Sequence, residues 1–263
     1  MTLGLLRSEL TKVLTTRLWW GLLIGVVIYT GLQAAATAGF AGVDPGAGQS
    51  ETPGLDEPET IRSVYATAAF TGSYIFALVL GVTGMTGEYR YQTITPTFLA
   101  TPRRARVVWG KAGAHLLVGV GYGVMATVVA LLAGAVVIAI RGYDLGLGTP
   151  GLWRAVLLGV LAVGLWTLLG LGVGTLIRNQ VAAILVALAV AFIVEPLAGL
   201  ALSAADLDDI AKFLPSSASS AMTSPVSSFV DLLPWWAGGL VMVGYAVLFA
   251  AGGVLLTVRR DIT

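Results

Sequence analysis

One carboxylate set inside an apolar run is the first residue whose position invites chemistry. Glu195 stands in AFIVEPLAGL and is followed at once by Pro196. Counted from Val181 along a helix, it lies about 21 Å from the start of its run. A carboxylate at such depth is costly and faces a cavity or a partner, and proline one step later favours a kink. Two readings stay open: a hydrogen-bonded Glu195 that stabilises a broken helix, or a Glu195–Pro196 pair that lines a pathway or gate. His115, the single histidine, reads as a hydrogen-bonding residue near the end of another run. No GxxxxGK[ST], HExxH or GxSxG arrangement occurs, which argues against a phosphate loop, a zinc hydrolase and a serine hydrolase. Cysteine is absent, so disulfides and thiolate metal sites are excluded. No catalytic residue and no metal ligand emerge.

The second informative stretch is a polar island from Glu88 to Lys111, EYRYQTITPTFLATPRRARVVWGK. Arg90, Arg103, Arg104, Arg106 and Lys111 face one acid, Glu88. Thr95-Pro96 and Thr101-Pro102 each place a capping hydroxyl ahead of proline, a helix-start signal. They predict a short helix through Thr97, Phe98 and Leu99, then a second helix running through the arginines. Phe98 and Leu99 suit either lipid headgroups or a groove on a soluble protein.

The elements that position these residues follow from composition. Hydrophobic residues make up 57% of the 263-residue chain and charged residues 11%, with mean hydropathy +0.88. Soluble domains carry about 25% charged residues, so this chain belongs in a bilayer. A hydrocarbon core needs about 20 apolar residues per helix, and six runs qualify: 18–38, 65–87, 112–140, 152–177, 181–202 and 237–258. Their continuous apolarity argues against a β-barrel. The fold predicted is an all-α integral membrane protein with six transmembrane helices in one domain over 1–263. Residues 88–111 form its polar connector and 203–236 its last outer segment.

Placing both termini inside leaves 11 of the 15 basic residues on that side, and only Arg62, Arg141, Arg154 and Lys212 outside. This bias sets the orientation, with N- and C-termini cytoplasmic in a bacterial inner membrane. The net charge of +1 therefore conceals two oppositely charged faces. The basic one lies against anionic lipid, and nucleic acid is not a partner. The first run, preceded by Arg7, Glu9, Lys12 and Arg17, reads as retained rather than as a cleaved signal.

Leu3, Leu6, Leu10, Val13 and Leu14 recur at helical spacing, predicting an interfacial helix over 1–17. It is either a floating anchor or a connecting helix that touches a partner. Arg178, Asn179 and Gln180 force a tight hairpin between the fourth and fifth runs. Within 203–236, Asp206–Leu214 reads as one amphipathic helical piece that Pro215 and Ser216–Ser220 then stop. Such a segment sits as a cap or as a re-entrant element. Trp19, Trp20, Trp109, Trp153, Trp235 and Trp236 mark span ends, and Trp166 reads as packing. Gly21/Gly25, Gly119/Gly123 and Gly170/Gly174 have the spacing of close helix approach.

Taken together, the amphipathic start LLRSELTKVLTTRLWW, the island GEYRYQTITPTFLATPRRARVVWGK, IVEPL, FLPSSASSAM and the terminal RRDI resemble the membrane subunits of ABC-2-type ATP-binding-cassette exporters. The resemblance implies a permease paired with a separate nucleotide-binding subunit, which carries the ATP and magnesium; this chain binds no cofactor. It implies a second permease copy or paralogue, as homodimer or heterodimer. It also implies a coupling helix whose residues Thr95, Pro96, Thr97, Phe98, Leu99, Thr101, Arg103 and Arg104 dock on the ATPase. The expected cargo is a small amphipathic or hydrophobic molecule: a drug, an antimicrobial peptide or a lipid-like compound. A sensor or immunity protein binding a peptide at its outer loops is the competing reading. A proton-coupled carrier using Glu195 is a weaker rival, because the runs hold essentially one ionisable group.

Overall fold

The computed structural model describes residues 3–43, 53–93, 104–223 and 232–259, and they are helical with short connections. Helix α1 covers Leu3–Thr15 and α2 covers Leu18–Phe40. Helix α3 runs over Pro58–Arg90, interrupted by a π-helical turn at Ser63–Thr67. Next come α4, Arg104–Ile140, and α5, Leu152–Leu176. Helix α6 spans Gln180–Ala204 with a π-helical turn at Val190–Val194. A short α7, Asp208–Ala211, α8, Pro215–Thr223, and α9, Trp235–Arg259, complete the order.

Helices α2, α3, α5, α6 and the stretch Arg106–Ile140 of α4 are long and apolar enough to cross a membrane. The sixth expected span coincides with α9, whose portion Trp235–Phe249 is apolar. Two predicted boundaries move by more than a helical turn. The helix expected from residue 65 starts at Pro58, because proline at the first helical position has no N–H to lose and Glu59 sits in the first turn. The helix expected from 112 begins at Arg104, within the island, as the run through the arginines predicts.

Helices α3 and α5 form the enclosed centre of the bundle, with α2, α4 and α6 more open around them. Their approach depends on missing side chains. A Cβ on Gly170 would run into the Leu78 carbonyl, and one on Gly81 into that of Thr167. Gly174 faces Val82 in the same seam, while Gly119 and Gly123 meet Gly164 and Val160 between α4 and α5. Two of the three glycine pairs therefore serve packing within the chain. Of the third, Gly25 meets Phe76, and nothing lies near the Cβ position of Gly21.

Hydrogen bonds close both ends of the bundle. At one, Arg141 donates from an Nη to the carbonyls of Ala38 and Ala41, at 2.8 and 2.7 Å. This satisfies orphan carbonyls at the C-terminus of α2, where a cation is favoured. At the other, Asn179 accepts from the Ala182 amide at 3.0 Å and caps α6. The tight hairpin between α5 and α6 is thus three residues, 177–179. Trp20, Trp109, Trp153, Trp235 and Trp236 are exposed near helix ends, as membrane-interface residues should be.

The segment after α6 departs from expectation. Pro215 opens α8 instead of stopping a helix, and Ser216–Ser220 lie inside it; only Asp208–Ala211 is helical in the predicted amphipathic piece. The reason is tertiary. Ala218, Ser219, Ala221, Met222 and Thr223 are buried, and a Cβ on Gly238 would strike Ala218, so α9 lies directly against α8. Gly159 of α5 faces Thr223 on the other side. The described part of the segment is wedged between α5 and α9.

Candidate functional site

The island is rooted in the C-terminus of α3 and the N-terminus of α4. At the first root the chain leaves its helix in a Schellman-type cap. Gln92 adopts a left-handed φ of 56°, the Thr93 amide donates to the Glu88 carbonyl at 3.0 Å, and the Gln92 amide to that of Tyr89 at 3.3 Å.

Four charges then close a junction between this root, the second root and α1. Lys111 Nζ lies 2.6 Å from Glu9 Oε2 and 3.0 Å from Glu88 Oε1. Lys12 Nζ lies 2.7 Å from Glu9 Oε1 and 3.0 Å from the same Glu88 oxygen. Signs alternate around the ring, so each ammonium has two carboxylate partners and each carboxylate two ammoniums. Glu9 is 1% exposed, Lys111 5% and Glu88 7%, which makes these among the least hydrated charges near the island. Thr93 Oγ1 adds a donor to Glu88 Oε2 at 3.2 Å.

The interface that holds the ring has little slack. Leu5 of α1 packs onto Gly110, where a Cβ would come within 2.8 Å of it. Val107 and Ala112 are buried with Met85, Leu171 and the flanking Tyr89. His115 sits one turn beyond Lys111, 1% exposed against Gly84, with Nδ1 2.9 Å from the Lys111 carbonyl. It is buried between α3 and α4 and hydrogen-bonds there, the role its sequence position suggested. Arg90 donates to Gln180 at 3.2 Å, and Arg178 lies over the Tyr89 ring at 5.9 Å, so the α5–α6 hairpin joins the same end.

Lys111, one of the basic residues counted on the inner side, and Glu88 are joined in a buried ion cluster. Helix α1 is correspondingly no floating anchor, because Glu9 and Lys12 tie it to α3 and α4. Arg104 opens α4, while Thr95, Pro96, Thr97, Phe98, Leu99, Thr101 and Arg103 lie outside the described residues.

Lys12 is the half-exposed member. Burial acts to lower its pKa, but Glu9 and Glu88 outweigh this and the value is raised above 10.5. A raised cationic pKa stabilises the fold fully below the unfolded value and loses that contribution as pH climbs through the folded one. Melting temperature is therefore expected to fall above pH 10.5, and to fall less steeply in Lys12→Gln. Thermal unfolding in detergent across that range checks the difference.

Glu195 occupies a second junction. It is 6% exposed, and its Oε2 accepts the Ser216 amide at 2.8 Å. The bond caps the N-terminus of α8, where a carboxylate satisfies an orphan N–H. Pro196 cannot donate to the helix ladder, and the wide turn at Val190–Val194 directly before it absorbs the irregularity. Further along α8, Ser219 Oγ receives Trp166 Nε1 at 2.8 Å, and Trp166 also lies against Tyr74 with ring centroids 4.8 Å apart. Trp166 is thus both packing residue and donor to α8, a link that a sequence separation of 53 residues concealed.

These features define a multi-pass helical membrane protein with a polar connector braced by its own N-terminal helix. The family model described as ABC-2 family transporter protein matches residues 5–261, and the chain belongs to that family. It is accordingly the permease component of an ATP-binding-cassette transporter, the part that works with an ATP-binding subunit. A search of curated proteins returns no match to the chain.

Proposed function

We propose that this permease exports a small amphipathic or hydrophobic cargo, driven by a separate nucleotide-binding subunit that docks on the island. The observation that carries this reading is the four-charge junction. Glu88 and Lys111 bracket the island and are paired to each other through Lys111 Nζ. A push on the connector therefore reaches α3 and α4 together, with α1 added through Glu9 and Lys12. A rigid root suits a lever, whereas a loop that only oriented the chain would need none.

In this reading α2, α3, α4, α5, α6 and α9 are six spans, with both termini and the island on the cytoplasmic face of a bacterial inner membrane. Thr95–Thr101, with Arg103 and Arg104, forms the docking surface; ATP and magnesium belong to the partner. A second permease, identical or paralogous, completes the pathway. Glu195 and Pro196 mark a gate in which α8 is the moving part.

The test is co-purification. Phe98→Asp places a charge at the centre of the proposed contact and is expected to release the ATPase from a detergent-solubilised complex. The permease itself keeps its elution volume and melting temperature. ATPase retained at the wild-type level counts against the docking surface.

A further inference from the structure

Four cations lie at the end of the bundle opposite the island: Arg62, Arg141, Arg154 and Lys212. Two are accounted for. Arg141 is spent on the carbonyls of α2, and Lys212 pairs with Asp209 at 2.6 Å. The other two, from different helices, converge on one cavity of about 200 Å³. Arg62 comes from α3, and Arg154 from the first turn of α5.

The two guanidinium groups flank a single point. A Cβ built on Gly151 would sit 3.5 Å from an Nη of each arginine. Gly151 has φ of +80°, so the chain is glycine where a side chain would be strained and would fill the cleft between them. Arg62 Nε is buried and has no hydrogen-bond partner among the described residues. Among the described residues its one acidic contact is Glu59, at 3.8 Å and half exposed, a pair worth little in water. Arg154 rests over the Trp235 ring at 5.5 Å. The remaining wall is mostly apolar, with Met222 at the end of α8 and Leu233, and Thr223 beside them. Exposed Trp153 and Trp235 place the cavity at interface depth.

We propose that this cavity binds the oxyanion head of an amphiphile, a phosphate or carboxylate carried on an apolar chain. Arginine's planar fork suits such oxygens, and two forks aimed at one point suit a single head with several of them. The volume is below the 300–1,000 Å³ of sites that enclose a whole small molecule. It takes a head and its first carbons and leaves the chain along the apolar wall or in lipid. The site stands whichever direction the permease works. Because Met222 lines it, an occupied site also bears on the position of α8.

The full-length permease in phosphatidylcholine nanodiscs, titrated with dodecyl phosphate in a calorimeter, tests this. Saturable binding is expected, with inorganic phosphate and dodecyl maltoside each at least tenfold weaker. Arg154 is exposed at the helix end, so Arg154→Gln leaves the fold intact and is expected to weaken dodecyl phosphate about tenfold, on the scale of one charge-assisted bond. Arg154→Lys keeps part of the affinity, and Arg62→Gln/Arg154→Gln loses saturable binding while melting normally. Unsaturable binding by the wild type, equal affinity in Arg154→Gln, or inorganic phosphate binding as tightly as dodecyl phosphate overturns the proposal. Discs containing phosphatidylglycerol separate the sources, and either result upholds the site. Competition there identifies a membrane lipid as occupant, and undiminished affinity identifies a free amphiphile.

Discussion

Lys111→Met is expected to cost the permease about 3–5 kcal/mol, the scale for removing one partner from a buried ion pair. Glu9 and Glu88 would remain almost fully enclosed with one of their shared cations gone, and the half-exposed Lys12 would be left facing both. The loss is local before it is global: α1 separates from α4, and the island loses its brace. Thermal unfolding in detergent and protease cleavage between α1 and α2 measure the two stages. Glu9→Gln/Lys111→Met should recover part of the loss, because the stranded charge is gone. Such non-additivity identifies a coupled network. A Lys111→Met protein that melts with the wild type shows that the cluster contributes nothing to stability. If the junction transmits force, ATPase stimulation by cargo also falls in Lys111→Met even when the ATPase still co-purifies.

Glu195→Leu is the second large effect. It leaves the Ser216 amide without its acceptor, at about 1–3 kcal/mol, and removes a carboxylate from the start of α8, worth up to about 2 kcal/mol more. Helix α8 should then leave its slot between α5 and α9. The chain has no cysteine, so a single cysteine at Ser217 reports this directly through its rate of maleimide labelling. Labelling should accelerate in Glu195→Leu and change little in Glu195→Gln, whose amide oxygen still accepts the bond. Equal labelling in all three backgrounds shows that the cap does not hold α8. Glu195→Gln should assemble normally yet change cargo-stimulated ATPase activity, if movement of α8 is part of gating.

The helices were legible because the sequence writes them as continuous apolar runs, and no tertiary contact is needed to read Leu18–Phe40 or Leu152–Leu176. What joins them was not. Glu9 and Lys12 are a visible i,i+3 pair on one helix, but Glu88 and Lys111 reach them from 76 and 102 positions away. One signal was available: Glu9 is the single acid before Asp44, and it interrupts the apolar stripe of Leu6, Leu10 and Val13. An acid on the buried side of an amphipathic helix calls for a cation opposite. Pro215 misled for a different reason. Proline ends a helix from within and begins one at its first position. The residue type alone does not decide between these, and the Glu195 cap that settles it is distant in sequence.

Helix α8 has a consequence for how the protein is made. A nine-residue helix does not hold itself and is seated only where protein covers its ends and flanks. Here that cover is Glu195 of α6, Trp166 and Gly159 of α5, and Gly238 and Met242 of α9. The last of these emerges from the ribosome after α8 itself. Until α9 is inserted, α8 has no place to lie, and a nascent chain ending near residue 232 would carry an unseated segment. Folding of this protein is therefore expected to finish with α8 and α9 seating together, and truncations that remove α9 are expected to be degraded rather than leave a stable fragment ending at α7.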